Sequence, residues 1–202
     1  RSNLATYTGL FDHVRERFAA TAAAKKRHFD AGRFSFYVSK GRCATCEGEG
    51  QVMVELLFLP SVYAPCPVCH GARYNADTLK VEYRGKNIAQ VLRLTVDDAL
   101  DFFAGEAALE RPLSVLAEVG LGYLRLGQSA TELSGGEAQR VKLATELQRS
   151  SHGNTLYILD EPTTGLHPAD IDRLVAQLDT LVAAGNTVIA VEHDMRVLAA
   201  SD

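Results

Sequence analysis

Residues 156–193 contain two short apolar runs separated by a helical pattern, and this arrangement restricts the possible fold more than any other feature of the chain. Residues 156–159 and 187–191 each have the composition of a strand. Between them, Pro168 suits a first helical position, apolar residues recur at helical spacing, and Gly185 ends the pattern. Two such strands joined by a helix form a β-α-β unit with parallel strands. The sequence therefore predicts an α/β fold whose strands are buried on both faces.

Two pairs of polar residues follow the predicted strands. Asp160 and Glu161 come directly after the first strand, and Glu192 and His193 come after the second. The carboxyl ends of parallel strands share one edge of the sheet, where α/β folds bind their ligands. Successive strand residues point to opposite faces, so the two carboxylates cannot have the same role. One can bind Mg²⁺, and the other can orient the attacking water of a hydrolysis. Each feature alone is common in α/β proteins, so the prediction of a hydrolytic site depends on their combination.

Residues 132–140 have the pattern of a helix start that binds phosphate. Ser134 and Glu137 have the spacing of a capping box, which leaves backbone N–H groups free at the positive end of a helix. Gly135 and Gly136 have no side chains that would keep a triphosphate away from the backbone. No G-x-x-x-x-G-K-[ST] loop occurs in the sequence, and residues 122–129 come nearest but lack its lysine. The sequence thus predicts half of an ATP site, and we expect a fragment of a longer protein that by itself binds ATP poorly.

All four cysteines of the chain belong to two C-x-x-C pairs separated by 19 residues. This spacing is typical of a structural zinc site with four thiolates and no open coordination position. Glycines follow both pairs closely, as tight turns need. Disulfides are the main alternative, and the reducing cytoplasm expected for an ATPase without a signal peptide disfavours them. The predicted zinc ligands are Cys43, Cys46, Cys66 and Cys69.

Together, these motifs resemble those of the ABC-type ATPases, in which residues 133–137 correspond to the signature, 160–161 to Walker B and His193 to the switch histidine. The resemblance implies a partial P-loop NTPase with a parallel-sheet core, an inserted helical signature region and a small four-cysteine zinc module. In such an ATPase, Glu161 would polarise the hydrolytic water, Asp160 would reach Mg²⁺ through water, and His193 would contact the γ-phosphate. The residues that would touch the γ-phosphate of a nucleotide held by a different nucleotide-binding domain are Ser134, Gly135 and Gly136.

The surroundings of the cysteines narrow the resemblance to the UvrA family, the damage-sensing ATPases of bacterial nucleotide excision repair. The matching stretches are residues 1–3, 5–9, 33–36, 41–43, 58–60, 62–63, 73–75 and 163–167. The resemblance covers essentially the whole chain and implies a cytoplasmic homodimer with two ABC domains in each protein, active in an excinuclease and in the SOS response. It implies ATP, Mg²⁺ and Zn²⁺ as cofactors, and damaged double-stranded DNA and a UvrB-like protein as partners. Departures from the family occur at Tyr37, Leu56 and Leu57, and they put DNA contact by the zinc module in doubt.

A basic stretch between residues 25 and 42 predicts where DNA would bind. The chain carries a net charge of −4, which argues against general polyanion binding, but this stretch holds six cations against one acid. Phenylalanines and a tyrosine are interleaved with the cations and could pack on bases. On sequence alone, a solvated face over a local hydrophobic cluster explains the pattern slightly better, and the family resemblance favours DNA binding. The predicted DNA-binding residues are Lys25, Lys26, Arg27, Arg33 and Arg42.

We expect four segments along the chain, and no apolar stretch long enough to span a membrane. Residues 1–33 and 79–127 would form the insertion or signature domain, residues 34–78 the zinc module, and residues 128–202 the C-terminal part of the ABC core. The first alternative function is that of a UvrA-like paralogue conferring resistance to DNA-binding drugs. A chaperone-type zinc module explains residues 43–50 but not the ATPase motifs, and a zinc-hook chromosome ATPase would require long heptad coils that the sequence lacks.

Overall fold

The structure is a computed structural model that describes residues 2–56, 58–148 and 154–201. The helices in these ranges are α1 Leu4–Tyr7, α2 Leu10–Ala19, α3 Ala22–Lys26, α4 Ala76–Leu79, α5 Ile88–Arg93, α6 Val96–Phe102, α7 Ala107–Glu118, α8 Gly135–Gln148, α9 Pro168–Ala183 and α10 Met195–Ala199. The strands are β1 Gln51–Leu56, β2 Leu59–Pro65, β3 Glu82–Tyr83, β4 Lys86–Asn87, β5 Leu156–Asp160 and β6 Thr187–Val191. Short 3₁₀ turns lie at Ala31–Phe34 and Ala130–Glu132.

The chain divides into two compact units, Arg1–Arg93 and Leu94–Asp202. The cysteines and the basic stretch belong to the first unit, and the ATPase motifs belong to the second. The predicted segment 79–127 contains the boundary between the units, and the division into four segments stays a prediction.

The helical part of the first unit is built around aromatic side chains. Leu10, Val14 and Phe18, which lie four residues apart, form one buried face of α2. The ring of Phe18 lies 5.4 Å from that of Phe34, measured between centroids. Phe34 and Phe36 are completely buried, so they pack inside the unit and cannot stack on bases. The hydrophobic-cluster interpretation of the basic stretch is therefore correct for these two residues.

The four cysteines lie in the connections around an antiparallel hairpin of β1 and β2. The register pairs Gln51 with Pro65 and Val54 with Val62. Val52, on β1, packs against the cysteine cluster. The β-forming composition of residues 51–58 predicts a strand, and β1 forms the first six of these residues, whereas Leu57 lies outside the described residues.

The second unit begins with two packed helices. Thr95 caps α6 by accepting from the N–H of Asp98, whose carboxylate accepts from the N–H of Thr95. The apolar spacing of residues 112–119 predicts a helix there, and the helix observed, α7, begins earlier, at Ala107, and contains Pro112. Pro112 lies beyond the first turn of α7, so it cannot donate the hydrogen bond to the carbonyl four residues earlier, and Leu109 and Leu113 of the same helix are buried.

Strands β5 and β6 are parallel, and α9 connects them as predicted. The register pairs Leu156 with Thr187 and Asp160 with Val191. Leu159 of β5 is buried, as is the apolar face of α9, but Ile158, which points to the opposite face of the strand, is 69% exposed. The prediction of burial on both faces is therefore wrong for these strands. A single crossover helix can cover only one face of a sheet.

Candidate functional site

The four cysteine thiols lie together in the first unit, and their sulfur atoms are all within 4.8 Å of one another. The Sγ atoms of Cys43 and Cys66 are 3.9 Å apart, and those of Cys46 and Cys69 are 3.6 Å apart. A tetrahedral ion with Zn–S bonds of about 2.3 Å holds its sulfur ligands about 3.8 Å apart. The cluster therefore has the dimensions of a closed four-thiolate zinc site. None of the four cysteines forms a disulfide.

Backbone turns hold the thiols in place. The N–H of Gly50 donates to Sγ of Cys46 over 3.3 Å, and the N–H of Cys66 donates to the carbonyl of Gly50 over 2.9 Å. Gly48 has a φ of +85°, and a Cβ there would lie 2.2 Å from the carbonyl oxygen of Phe36. Only glycine fits this turn.

The electrostatic environment of the thiols differs from one to another. Burial raises the pKa of Cys46, and it raises the pKa of Cys69 to about 12. Backbone N–H groups of Cys69 and Val68 lower the pKa of Cys66 to about 7. A divalent ion would provide the positive charge that buried thiolates need, and it would be held by all four sulfurs.

In the second unit, the predicted polar edge of the sheet is formed. Nε2 of His193 lies 3.1 Å from Oε1 of Glu161, and both side chains are largely exposed. Strand β5 ends at Asp160, and Glu161 has a φ of +45°, which is rare for a residue with a side chain. Its N–H still donates to the carbonyl of Val191 over 2.8 Å. The chain thus turns sharply at Glu161, and its carboxylate lies beside His193, which follows the neighbouring strand.

Glu192, to which the sequence assigned no role, organises the loop that follows Glu161. Its Oε1 accepts from the N–H and the hydroxyl of Thr163 over 2.8 and 2.6 Å, and its Oε2 accepts from the N–H of His193 over 3.1 Å. Burial raises the pKa of Glu192, but the bonds from Thr163, Asp194 and His193 outweigh burial and hold that pKa below its ordinary value. The sequence shows a carboxylate at this position, but it does not show that the partner is Thr163, 29 residues away.

The predicted capping box is present at the start of α8. The N–H of Ser134 donates to Oε2 of Glu137 over 2.7 Å, and the N–H of Glu137 donates to Oγ of Ser134 over 3.2 Å. The hydroxyl of Tyr123 donates to Oε1 of Glu137 over 2.5 Å. Gln139, one turn farther along, accepts from the N–H of Asp160 over 3.3 Å. The helix start and the end of β5 are thus directly connected.

The two glycines of this motif have different surroundings. A Cβ on Gly135 would meet no atom within 4 Å, so this position leaves room for a ligand. A Cβ on Gly136 would lie 3.1 Å from the carbonyl oxygen of Thr164 and 3.3 Å from Nη1 of Arg140. Gly136 therefore allows close packing within the unit. The sequence alone does not show that Gly135 faces open space whereas Gly136 is required for close packing.

The basic residues predicted to bind DNA fall into two groups. Lys25, Lys26 and Arg27 are exposed at the end of α3. Arg33 donates to Oγ1 of Thr78 over 2.9 Å, and its guanidinium lies over the ring of Phe29. Arg42 donates to the carbonyl of Tyr37 and lies 3.5 Å from a carboxylate oxygen of Glu47. The last two arginines therefore hold the fold around the cysteines, and the exposed group offers the freer charges.

Among the helices of the described residues, none has both the length and the apolar character required to cross a membrane.

Comparisons with known proteins agree with these features. Residues 72–164 match the family model described as ABC transporter. Over all 202 residues, the chain is 59% identical to UvrABC system protein A of Streptomyces avermitilis and 56% identical to that of Thermus thermophilus. It spans 20% and 21% of these two proteins, so it corresponds to a fifth of their length.

The crystal structure of UvrA2 from Deinococcus radiodurans matches the chain with a TM-score of 0.93 and 76% sequence identity. The match covers 100% of this chain and 25% of that one. These findings confirm the predicted resemblance to UvrA, and they confirm the fold class of an ABC-type core with a four-cysteine module.

Proposed function

We propose that this chain, which is similar throughout to a segment of the UvrA proteins, is part of an ATPase that couples ATP hydrolysis to recognition of damaged DNA and transfer of the lesion. The observation that carries the proposal is the pair of Glu161 and His193, 3.1 Å apart at the end of a parallel sheet. A carboxylate and an imidazole at this edge can orient a water and contact a phosphate, which are the two requirements of phosphoryl transfer to water.

The remaining residues have matching roles in the proposal. Asp160 would hold Mg²⁺ through water, Glu161 would polarise the attacking water, and His193 would contact the γ-phosphate. Ser134, Gly135 and Gly136 present the positive end of α8 to the γ-phosphate of a nucleotide bound by another domain. The open space beside Gly135 supports this role, because a phosphate can approach the backbone there.

Cys43, Cys46, Cys66 and Cys69 would hold a Zn²⁺ ion that stabilises the module around the hairpin. The nearly equal sulfur separations of 3.6 and 3.9 Å support this part of the proposal. Because four thiolates fill a tetrahedral ion, the metal would have no open position for a substrate. Its function is therefore structural.

DNA would bind at the exposed cations of the first unit, Lys25, Lys26 and Arg27, with Arg33 and Arg42 contributing less because they have partners within the fold. We further propose a cytoplasmic homodimer that binds damaged double-stranded DNA and a UvrB-like partner, and that belongs to an excinuclease and to the SOS response. The high identity to UvrABC system protein A supports these assignments.

A second candidate is a UvrA-like paralogue that confers resistance to DNA-binding drugs. The observation that favours it is the 76% identity to UvrA2, against 59% to the Streptomyces avermitilis protein. Both candidates use the same ATPase residues and the same thiol cluster. They differ in the ligand that the intact protein recognises, which is damaged DNA for the repair protein.

The test is binding of the intact protein to lesion-bearing and undamaged duplexes, with and without ATP, at two salt concentrations. The repair function predicts a preference for damaged DNA that depends on nucleotide. Affinity for both duplexes should fall as salt rises, because phosphate contacts release counterions. Equal binding that ignores ATP would contradict the repair function and favour the paralogue.

A further inference from the structure

Arg140 is the largest fully buried side chain among the described residues, with 1% of its surface exposed. It lies in the first turns of α8, and its Nη1 donates to the carbonyl of Pro162 over 2.9 Å and to that of Thr164 over 3.2 Å. Its Nε and Nη2 are also buried and have no hydrogen-bond partner among the described residues. A buried cation is costly unless its partners compensate for the lost water, so its location indicates a specific task.

The loop that Arg140 binds is the one that carries Glu161. The N–H of Thr164 donates to the carbonyl of Glu161 over 3.1 Å, and the hydroxyl of Thr164 lies 3.3 Å from Oε2 of Glu161. Arg140 therefore binds the backbone of the residue whose side chain contacts the candidate catalytic carboxylate. The φ of +45° at Glu161 is a strained conformation that persists only where surrounding contacts hold it.

Acidic and phenolic groups surround the guanidinium. Burial lowers the pKa of Arg140, while Tyr123, Glu137 and Asp170 act in the opposite direction. Glu137 is the same residue that caps α8 by accepting from the N–H of Ser134. One carboxylate thus supports both the signature helix start and the charge of Arg140.

We propose that Arg140 is a positioning residue that holds the loop after β5, and with it the carboxylate of Glu161, in the geometry for hydrolysis. The proposal rests on the ATPase function proposed above and deepens it. Arg140 acts through the carbonyls of Pro162 and Thr164.

The experiment compares Arg140→Met, Arg140→Lys and the control Lys142→Met in the intact protein. Lys142 is exposed on the same helix, so the control removes a cation without touching the loop. Arg140→Met should lower kcat up to about 100-fold, since a small displacement of a catalytic group has effects of that size. The KM for ATP should change less than about twofold, because the loop does not bind the base or ribose. Arg140→Lys, which keeps the positive charge and N–H donors but not the planar guanidinium, should recover part of kcat, and Lys142→Met should match the wild type.

Hydrogen exchange of the backbone amides provides a readout independent of activity. In Arg140→Met, the amides of residues 161 and 163–166 should exchange faster, whereas those around the cysteines should not change. If the wild type has no ATPase activity, the proposed function fails, and this readout still decides whether Arg140 holds the loop. If Arg140→Met does not fold, Arg140→Lys decides by the same two measurements.

A double variant tests the route of action. Because Arg140 is proposed to act through Glu161, Arg140→Met should lower kcat no further in a Glu161→Gln background. A folded Arg140→Met with normal kcat and unchanged loop exchange would overturn the proposal, as would a full additional loss of kcat in the double variant.

Discussion

Nε2 of His193 lies 3.1 Å from Oε1 of Glu161, although the two residues are 32 positions apart. Strands β5 and β6 bring them together because their register pairs Asp160 with Val191. The sharp turn at Glu161 then directs its carboxylate to the histidine side of the sheet edge. Each of the two groups therefore has the other as a partner within the chain.

Glu161→Gln should reduce ATP turnover in the intact protein to a residual rate and leave ATP binding in place. The amide has the shape of the carboxylate but cannot attract a proton from water, so a loss of about 100- to 10,000-fold in kcat is expected. Steady-state hydrolysis and equilibrium binding of a fluorescent ATP analogue measure the two effects. Asp179→Asn, an exposed change on α9, is the control. Normal hydrolysis by Glu161→Gln would remove Glu161 from the proposed role.

Cys43→Ser should release the metal and loosen the first unit between residues 34 and 78. A neutral hydroxyl is a poor zinc ligand, and structural zinc sites contribute on the order of 10 kcal/mol to folding of small modules. Metal analysis of purified protein and limited proteolysis would show the change. Thr45→Ala, an exposed change between the first two cysteines, should keep its metal. Full metal content in Cys43→Ser would contradict the four-thiolate assignment.

Gly135→Ala and Gly136→Ala should affect different properties: Gly136→Ala should lower the stability of the fold, and Gly135→Ala should lower ATP turnover. At Gly136 the new methyl group would press on the carbonyl of Thr164, and such overpacking costs about 1–3 kcal/mol of unfolding free energy. At Gly135 the methyl group would enter open space, so thermal stability should be kept while ATP turnover falls. Thermal unfolding and hydrolysis of the matched pair test this. Equal loss of stability in both variants would be inconsistent with the packing described for Gly136.

Lys25→Gln and Lys26→Gln should each weaken binding of DNA to a similar extent for damaged and undamaged duplexes. Loss of one phosphate contact reduces the slope of log affinity against log salt by about 1. Titration of the intact protein at several salt concentrations measures that slope. Lys80→Gln is the control, because Lys80 is paired with Asp77 at 2.9 Å in the same unit. A salt slope unchanged in both variants would exclude the end of α3 from the DNA interface.

Glu192→Gln should lower thermal stability at neutral pH, and the difference from the wild type should disappear in acid. The pKa of Glu192 is below its ordinary value of 4.5 in the folded chain. Its contribution is therefore complete above about pH 4.5 and is lost as the pH falls through the lower folded value. Melting temperatures of both proteins between pH 3 and 7 test this, with the exposed Glu132→Gln as control. A difference that persists unchanged at pH 3 would show that the carboxylate charge is not responsible.

Several features of the site were predictable because they depend on residues close together in the chain. The capping box joins Ser134 and Glu137, three positions apart, and the backbone of one helical turn brings them into contact wherever the helix lies. The cysteine pairs have the same property, since each C-x-x-C turn places two sulfurs on one side. The β-α-β unit followed from the lengths and periods of its apolar runs.

Other features were misjudged or missed because they depend on distant contacts. Composition alone predicted strands buried on both faces, but coverage of Ile158 depends on which elements pack against the sheet. The aromatic residues Phe34 and Phe36 were candidates for stacking on bases, and their burial by α2 places them in the core.

By itself, the sequence determined the paired spacing of the four cysteines, the capped start of α8 and the order of the motifs, because local backbone geometry and residue chemistry specify them. Only the tertiary structure decided that Glu161 meets His193, that Gly136 packs against Thr164, and that Arg140 is buried under the loop. These contacts join residues more than 20 positions apart. Their geometry depends on strand register and on the conformation of the intervening loop, and no local periodicity encodes either one.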